Sequence, residues 1–225
     1  MATLTLTHQQ DLELRFKAAS TRDLLSNGLR LVRDRRLSEA NKDSVMMTLS
    51  AGVSRLYDLA LGLRDLDRHG HWTAPQPPGP QMRDLATTHN RVFGFLAEQP
   101  GADLTVDRWL NRVAADPVLP PLLAALSVYS GSTVPASLGP VAWDAVMDAV
   151  HRDPGVSSRL ERAMELDTDD LWAAYRKAWD ERLAQAVETI WFALAVCGRR
   201  GLLGEAGTSF GREIVTREPV LRVAA

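Results

Sequence analysis

Residues 45–66, VMMTLSAGVSRLYDLALGLRDL, decide the fold. Val45, Leu49, Gly52, Leu56, Leu59, Leu63 and Leu66 recur at alternating steps of four and three. That is the repeat of an α-helix with one buried stripe. Asp43, Ser54, Asp58 and Asp65 fall largely off the stripe. The spacing predicts a helix from about Leu37 to His69, stopped by Gly70 and then Pro75. The preceding region, about Gln9 to Arg36, is also helical. Leu12, Phe16 and Ala19 share one face there, and Leu25, Leu29 and Val32 another. Ser20-Thr21-Arg22-Asp23 is the expected kink or break between them. The two regions are expected to pair as an antiparallel helical hairpin.

The same reading extends outward. Residues 72–81, WTAPQPPGPQ, carry four prolines and read as a loop. Helices are expected over about Gln81–Ala97, with Leu85, Val92 and Leu96 inward, then about Leu104–Ala115, Leu119–Val128 and Val141–His151. Pro140 suits the first turn of the last of these. A second long element, about Asp167–Arg199, places Leu171, Tyr175, Trp179, Leu183, Val187, Ile190, Trp191 and Leu194 on one broad face. At 1.5 Å per residue it is about 50 Å long. That exceeds the diameter of a domain this size, so a kink or a second subunit is expected along it. The Gly-rich segment after Gly204 reads as an irregular tail, with Glu213-Ile214-Val215-Thr216 a candidate short strand. The expectation is an all-α bundle of six to eight helices, two of them long and amphipathic. It forms one domain over 1–201 (hairpin 1–71, Pro-rich loop 72–81, remaining helices 82–201), followed by a tail over 202–225.

Composition agrees with a globular chain. The 225 residues are 45% hydrophobic and 24% charged, with a net charge of −2. These values exclude a collagenous chain, a disulfide scaffold and a disordered acidic or basic tail. Cys197 is the single cysteine and reads as a small core residue. The six tryptophans read as core anchors rather than base-stacking platforms. The first residues lack the charged and apolar pattern of a secretory signal, and no apolar run is long enough to span a bilayer. The expected location is therefore the cytoplasm, with no membrane partner. Of 26 basic residues 23 are Arg, spread along the chain as a codon bias would spread them. A near-neutral charge disfavours broad nucleic-acid binding. The one dense basic cluster is Arg30, Arg33, Arg35 and Arg36.

Most chemical motifs are missing from the sequence. It has no phosphate-binding Gly loop with its Lys, no nucleophile elbow and no His-Glu-x-x-His pair. No cofactor motif and no metal-ligand set is legible, because His69 and His71 lack a third ligand nearby. One constellation stands out: Arg83-Asp84-Leu85-Ala86-Thr87-Thr88-His89. Histidine can manage a proton near neutral pH, and arginine can hold a phosphate as charge develops on it. Six helical positions separate the two by about 120° in azimuth, so Arg83 must reach across from an irregular helix start, or meet His89 across a dimer. Arg64 stands at similar spacings from His69 and His71.

An Arg-polar-x(4)-His motif in an all-α chain resembles the HEPN superfamily of helical bundles. Many members are metal-independent endoribonucleases, and others are non-catalytic binding domains. The resemblance implies a homodimer of toxin or phage-defence type that joins two copies of Arg83 and His89 in one cleft. RNA would be cleaved there to a 2′,3′-cyclic phosphate. It also implies that Asp84 orients Arg83 or His89, and that an antitoxin or another defence component is a partner. On this reading Arg30, Arg33, Arg35 and Arg36 contact the RNA backbone. Two alternatives stay open. His89 stands beside the stripe of Leu85 and Val92, where a histidine is commonly structural. The chain as a whole also reads as a non-catalytic adaptor or effector-binding protein.

Overall fold

The computed structural model describes residues 6–34, 40–70, 83–99, 103–131 and 138–215. Among them are nine helices and no strand, an all-α bundle as expected, with more helices than the six to eight that the spacing predicts. They are α1 (His8–Arg33), α2 (Lys42–His69), α3 (Leu85–Ala97), α4 (Leu104–Ala115), α5 (Leu119–Val128), α6 (Leu138–His151), α7 (Pro154–Leu166), α8 (Asp169–Arg199) and α9 (Gly204–Glu213). The Pro-rich loop and most of the expected tail lie outside the described residues.

The first two helices form the hairpin read from the sequence. Thr7 and Gln10 build a reciprocal capping box at the start of α1. Gly70, with φ of 72°, closes α2 in the left-handed conformation. Between these ends α1 is continuous, and the expected break at Ser20–Asp23 does not occur. Thr21 is fully buried there, and its hydroxyl donates to the Lys17 carbonyl at 2.8 Å. The inward face of the first half also differs from expectation. Leu14, Ala18, Thr21, Leu25, Leu29 and Val32 form one stripe along the helix, whereas Leu12 and Phe16 are 53% and 75% exposed. A short polar residue that satisfies its own hydroxyl is tolerated in that stripe, and this is what the hydrophobic pattern concealed.

Contact between α1 and α2 is close because glycine faces leucine twice. A Cβ on Gly28 would stand 2.5 Å from Leu49 Cδ2, and one on Gly52 would stand 2.7 Å from Leu25 Cδ2. Behind the hairpin, α8 packs against α1, α2, α4, α6, α7 and α9. From Trp179 onward α8 is enclosed on most sides, and Cys197 is buried within it. Burial pushes that thiol up to about 12, which suits an inert core residue. The first third of α8 has no fully buried side chain.

Two helices, α7 and α9, stand outside the set that the spacing predicts. For α7 the signal was Asp153-Pro154: Asp153 caps by accepting from the Gly155 amide, and proline opens the first turn. For α9 the glycines that look like loop composition are packing positions. A Cβ on Gly211 would meet the Arg199 amide nitrogen at 2.4 Å and the Ala195 carbonyl at 2.6 Å. The end of α9 is then held by side chains rather than by a strand partner. Arg22 Nη1 donates to the Glu213 carbonyl at 3.0 Å, Trp191 Nε1 to that of Ile214 at 3.0 Å, and Arg199 Nη2 to that of Val215 at 2.6 Å.

One buried ion cluster ties the remaining junctions. Arg182 of α8 donates to both carboxylate oxygens of Asp116, between α4 and α5, and its Nε donates to Asp153 Oδ2 at 2.7 Å. The Arg182 and Asp116 side chains are only 11% and 8% exposed.

Arg182→Met leaves two carboxylates without their cation, and is expected to lower the unfolding free energy by about 3 kcal/mol in urea titrations. Gly211→Ala should lose about 2 kcal/mol by overpacking against rigid backbone, even though alanine favours helix. Gly94→Ala, where the added Cβ meets nothing within 4 Å, should instead gain about 1 kcal/mol.

Candidate functional site

The segment that carries Arg83, Asp84 and His89 is fixed first by its backbone. Asp84 is the N-cap of α3 and accepts from the Thr87 amide at 2.9 Å. Ser127 in the last turn of α5 and Ser130 just after it hold the residues around it. Ser130 Oγ accepts from the Arg83 amide at 2.7 Å, and Ser127 Oγ from the Leu85 amide at 2.9 Å. Arg83 and Asp84 therefore precede the helix, where the sequence spacing began it at about Gln81. The Asp84 carboxylate is turned to Thr87, whose hydroxyl and amide hold it below the usual carboxylate range.

The two proposed chemical groups reach neighbouring residues of α2. Arg83 Nη1 donates to Asp58 Oδ2 at 2.6 Å and to Ser54 Oγ at 2.9 Å. Burial raises the Asp58 carboxyl, and the guanidinium opposes that shift. His89 turns instead to Tyr57. Its Nδ1 and the Tyr57 hydroxyl are hydrogen-bonded at 2.7 Å, and its ring lies 4.5 Å from that of Phe93. Burial pushes His89 down to about 4, so the imidazole is neutral at pH 7. Tyr57 is fully buried, and that raises its phenol. Thus Arg83 is drawn to an acid–hydroxyl pair, and His89 to an aromatic cluster.

Arg83 also lines a cavity of about 440 Å³, within the size range of small-molecule sites. The cavity runs beside α1 and α2 to the end of α5, and His89 is not among its lining residues. Met47, Ala51, Ser54 and Asp58 supply one wall at steps of four, three and four along α2. Phe16 and Arg55 stand at the same cavity, together with Ser20, whose hydroxyl accepts from Arg55 Nη1 at 3.0 Å. The exposed Phe16 that departed from the expected inward face is therefore a cavity residue. Sequence reasoning missed Tyr57, Asp58, Ser54 and Arg55 as site residues. Their signal was a second row of helical period on α2, with mixed polarity.

The other candidates are distributed differently. Arg33 forms paired hydrogen bonds with both Glu181 and Glu188 of α8, four in all, and these partners raise its already high pKa. Arg30 pairs with Asn27 at 2.9 Å and lies 3.6 Å from Asp34. Arg35 and Arg36 lie outside the described residues, as does His71. Arg64 is bonded to Asp65, and its guanidinium rests over the Phe95 ring. Among the described residues no group of three or more His, Cys, Asp or Glu could hold a metal ion, and no helix is long and apolar enough to cross a membrane.

The low His89 pKa fixes the sign of a pH effect. Between pH 6.5 and about 4 the unfolded chain takes up a proton on His89 that the folded chain refuses. Its contribution to stability is complete above pH 6.5 and falls as the pH drops through that window. His89→Gln removes the titration. The loss of unfolding free energy between pH 7 and pH 5 should be smaller in the variant by about 2 kcal/mol, read from urea midpoints at each pH.

Comparison of the chain with protein-family models, with curated proteins and with solved structures finds no match to any of them.

Proposed function

We propose that this is an effector-binding helical protein without catalytic activity of its own, and that its ligand occupies the cavity beside α1 and α2. The carrying observation is the cavity itself. It is large enough for a small organic molecule, and its wall is mostly apolar with a few convergent polar groups. The histidine that would do acid–base work is not in the cavity lining, and the arginine that is there already has partners. His89 is neutral, mostly buried and bonded to Tyr57, and Arg83 is held by Asp58 and Ser54. A protein that senses a ligand needs no reactive centre. It needs a preformed space bordered by elements whose packing the ligand can bias.

The uncharged dye N-phenyl-1-naphthylamine, which fluoresces when shielded from water, tests this reading. Wild-type protein should enhance its emission with saturable binding. Ala51→Trp, which places an indole in the cavity, should weaken that binding about tenfold or more, with an unchanged helical circular dichroism spectrum. Absence of saturable binding to the wild type would sink the reading.

Metal-independent RNA cleavage by a HEPN-like dimer is the second reading, and what supports it is Arg83 in the wall of an open cavity. It expects cleavage of single-stranded RNA in EDTA that is lost in His89→Ala. The effector reading expects no cleavage that depends on His89.

A further inference from the structure

The cavity is polarised along its length. Its lining on α2 extends from Met47 to Leu59, about 18 Å of helix. At the Met47 end the wall includes Met47, Ala51 and Tyr129, whose hydroxyl donates at 2.9 Å to Asp43, one turn before Met47. The charged side chains all gather toward the other end. Arg55 and Asp58 lie one turn apart on α2, Arg83 is bonded to Asp58, and Lys17 lies one turn before Ser20, the partner of Arg55. Three cations and one carboxylate line the cavity in all.

These cations are not equivalent. Arg83 is bonded to the one carboxylate of the lining, Asp58. Lys17 is bonded to Glu13 one turn away on the exposed side of α1. Arg55 is exposed, and among the described residues its one bond is to the neutral Ser20 hydroxyl and no carboxylate pairs with it. A guanidinium in that setting keeps donors for an incoming anion, and its planar fork matches a carboxylate. The exposed Phe16, one turn before Ser20 on α1, adds apolar surface to the same lining.

From this charge distribution we infer that the ligand is an amphipathic monoanion, an unbranched or lightly branched apolar chain ending in a carboxylate. Arg55 receives the carboxylate, with Lys17 beside it, and the chain lies along α2 toward Met47. The inference rests on the cavity being the ligand site, and it adds the chemical class and the orientation. An extended chain of about ten carbons matches the roughly 12 Å of helix between Arg55 and Met47. A neutral ligand of the same shape would leave Arg55 unpaired, and a cationic one would meet an excess of positive charge.

The test displaces N-phenyl-1-naphthylamine from the full chain with three ligands of equal tail: decanoate, decan-1-ol and decyltrimethylammonium. Decanoate should displace the dye at a concentration about tenfold below that of the alcohol, the scale of one charge-assisted contact, and the ammonium should be weakest. In Arg55→Gln the gap between decanoate and alcohol should close to about threefold or less. Lys17→Gln should narrow it less than Arg55→Gln does. If the dye binds the wild type and the alcohol or ammonium competes as well as decanoate, the charge assignment is overturned and the pocket reading stands. The same follows if the decanoate advantage survives unchanged in Arg55→Gln. If the dye does not bind the wild type, both fall.

Discussion

Two leucines set against two glycines fix the geometry on which this molecule depends. Leu25 of α1 lies on Gly52 of α2, and Leu49 of α2 lies on Gly28 of α1, so each helix supplies one knob and one hole. All four positions are buried. Without side chains at the glycines the two helices approach closely, and the remaining residues of each must occupy defined azimuths around that contact. One consequence is the row Met47, Ala51, Ser54 and Asp58. It lies off the stripe that meets α1, yet it has the same helical period, and it becomes a cavity wall. Another is that Tyr57 and Asp58, adjacent in sequence, diverge: the first is enclosed against α3, and the second receives the arginine that precedes that helix.

Polar residues do much of the joining elsewhere, and they act at junctions rather than along helices. Arg182 gathers the α4–α5 and α6–α7 turns onto α8, because Asp116 and Asp153 each close a turn and also face the same guanidinium. Ser127 and Ser130 hold the entrance to α3. Ser50 donates from α2 to the Leu126 carbonyl at 2.7 Å. Each buried polar group with a fixed partner narrows the set of packings that a hydrophobic pattern alone would allow. Arg33 fits the same logic. In a cluster that reads as a nucleic-acid contact, it forms an inter-helical clamp on two glutamates of α8.

The long helices were legible because the apolar stripe of α2 and the apolar face of α8 repeat over many turns. The breaks in that legibility have physical causes. Thr21 is polar by type and buried by position, so the pattern showed a gap where the helix has none. Leu12 and Phe16 are apolar by type and exposed by position, and for Phe16 the reason is that a hydrophobic side chain beside a cavity is indistinguishable in sequence from one in a core. The glycines of α9 mimic loop composition, because close approach and chain flexibility call for the same residue. At the site, Arg83 and His89 stood out as residue types. Their partners Asp58 and Tyr57 come from a helix some 25 to 32 residues away in the chain, and spacing within one segment carries no signal of that pairing.

The clasp at the end of α9 bears on how the chain is made. The Arg22 guanidinium reaches a carbonyl 191 residues further along, and Trp191 and Arg199 secure the next part of the same segment. During vectorial synthesis the hairpin of α1 and α2 emerges early and pairs through local contacts, but the flank that α9 covers must wait for nearly the whole chain. Loop closure over such a separation is slow compared with hairpin formation. A chain halted before residue 204 would therefore lack the helix that covers this flank of the hairpin.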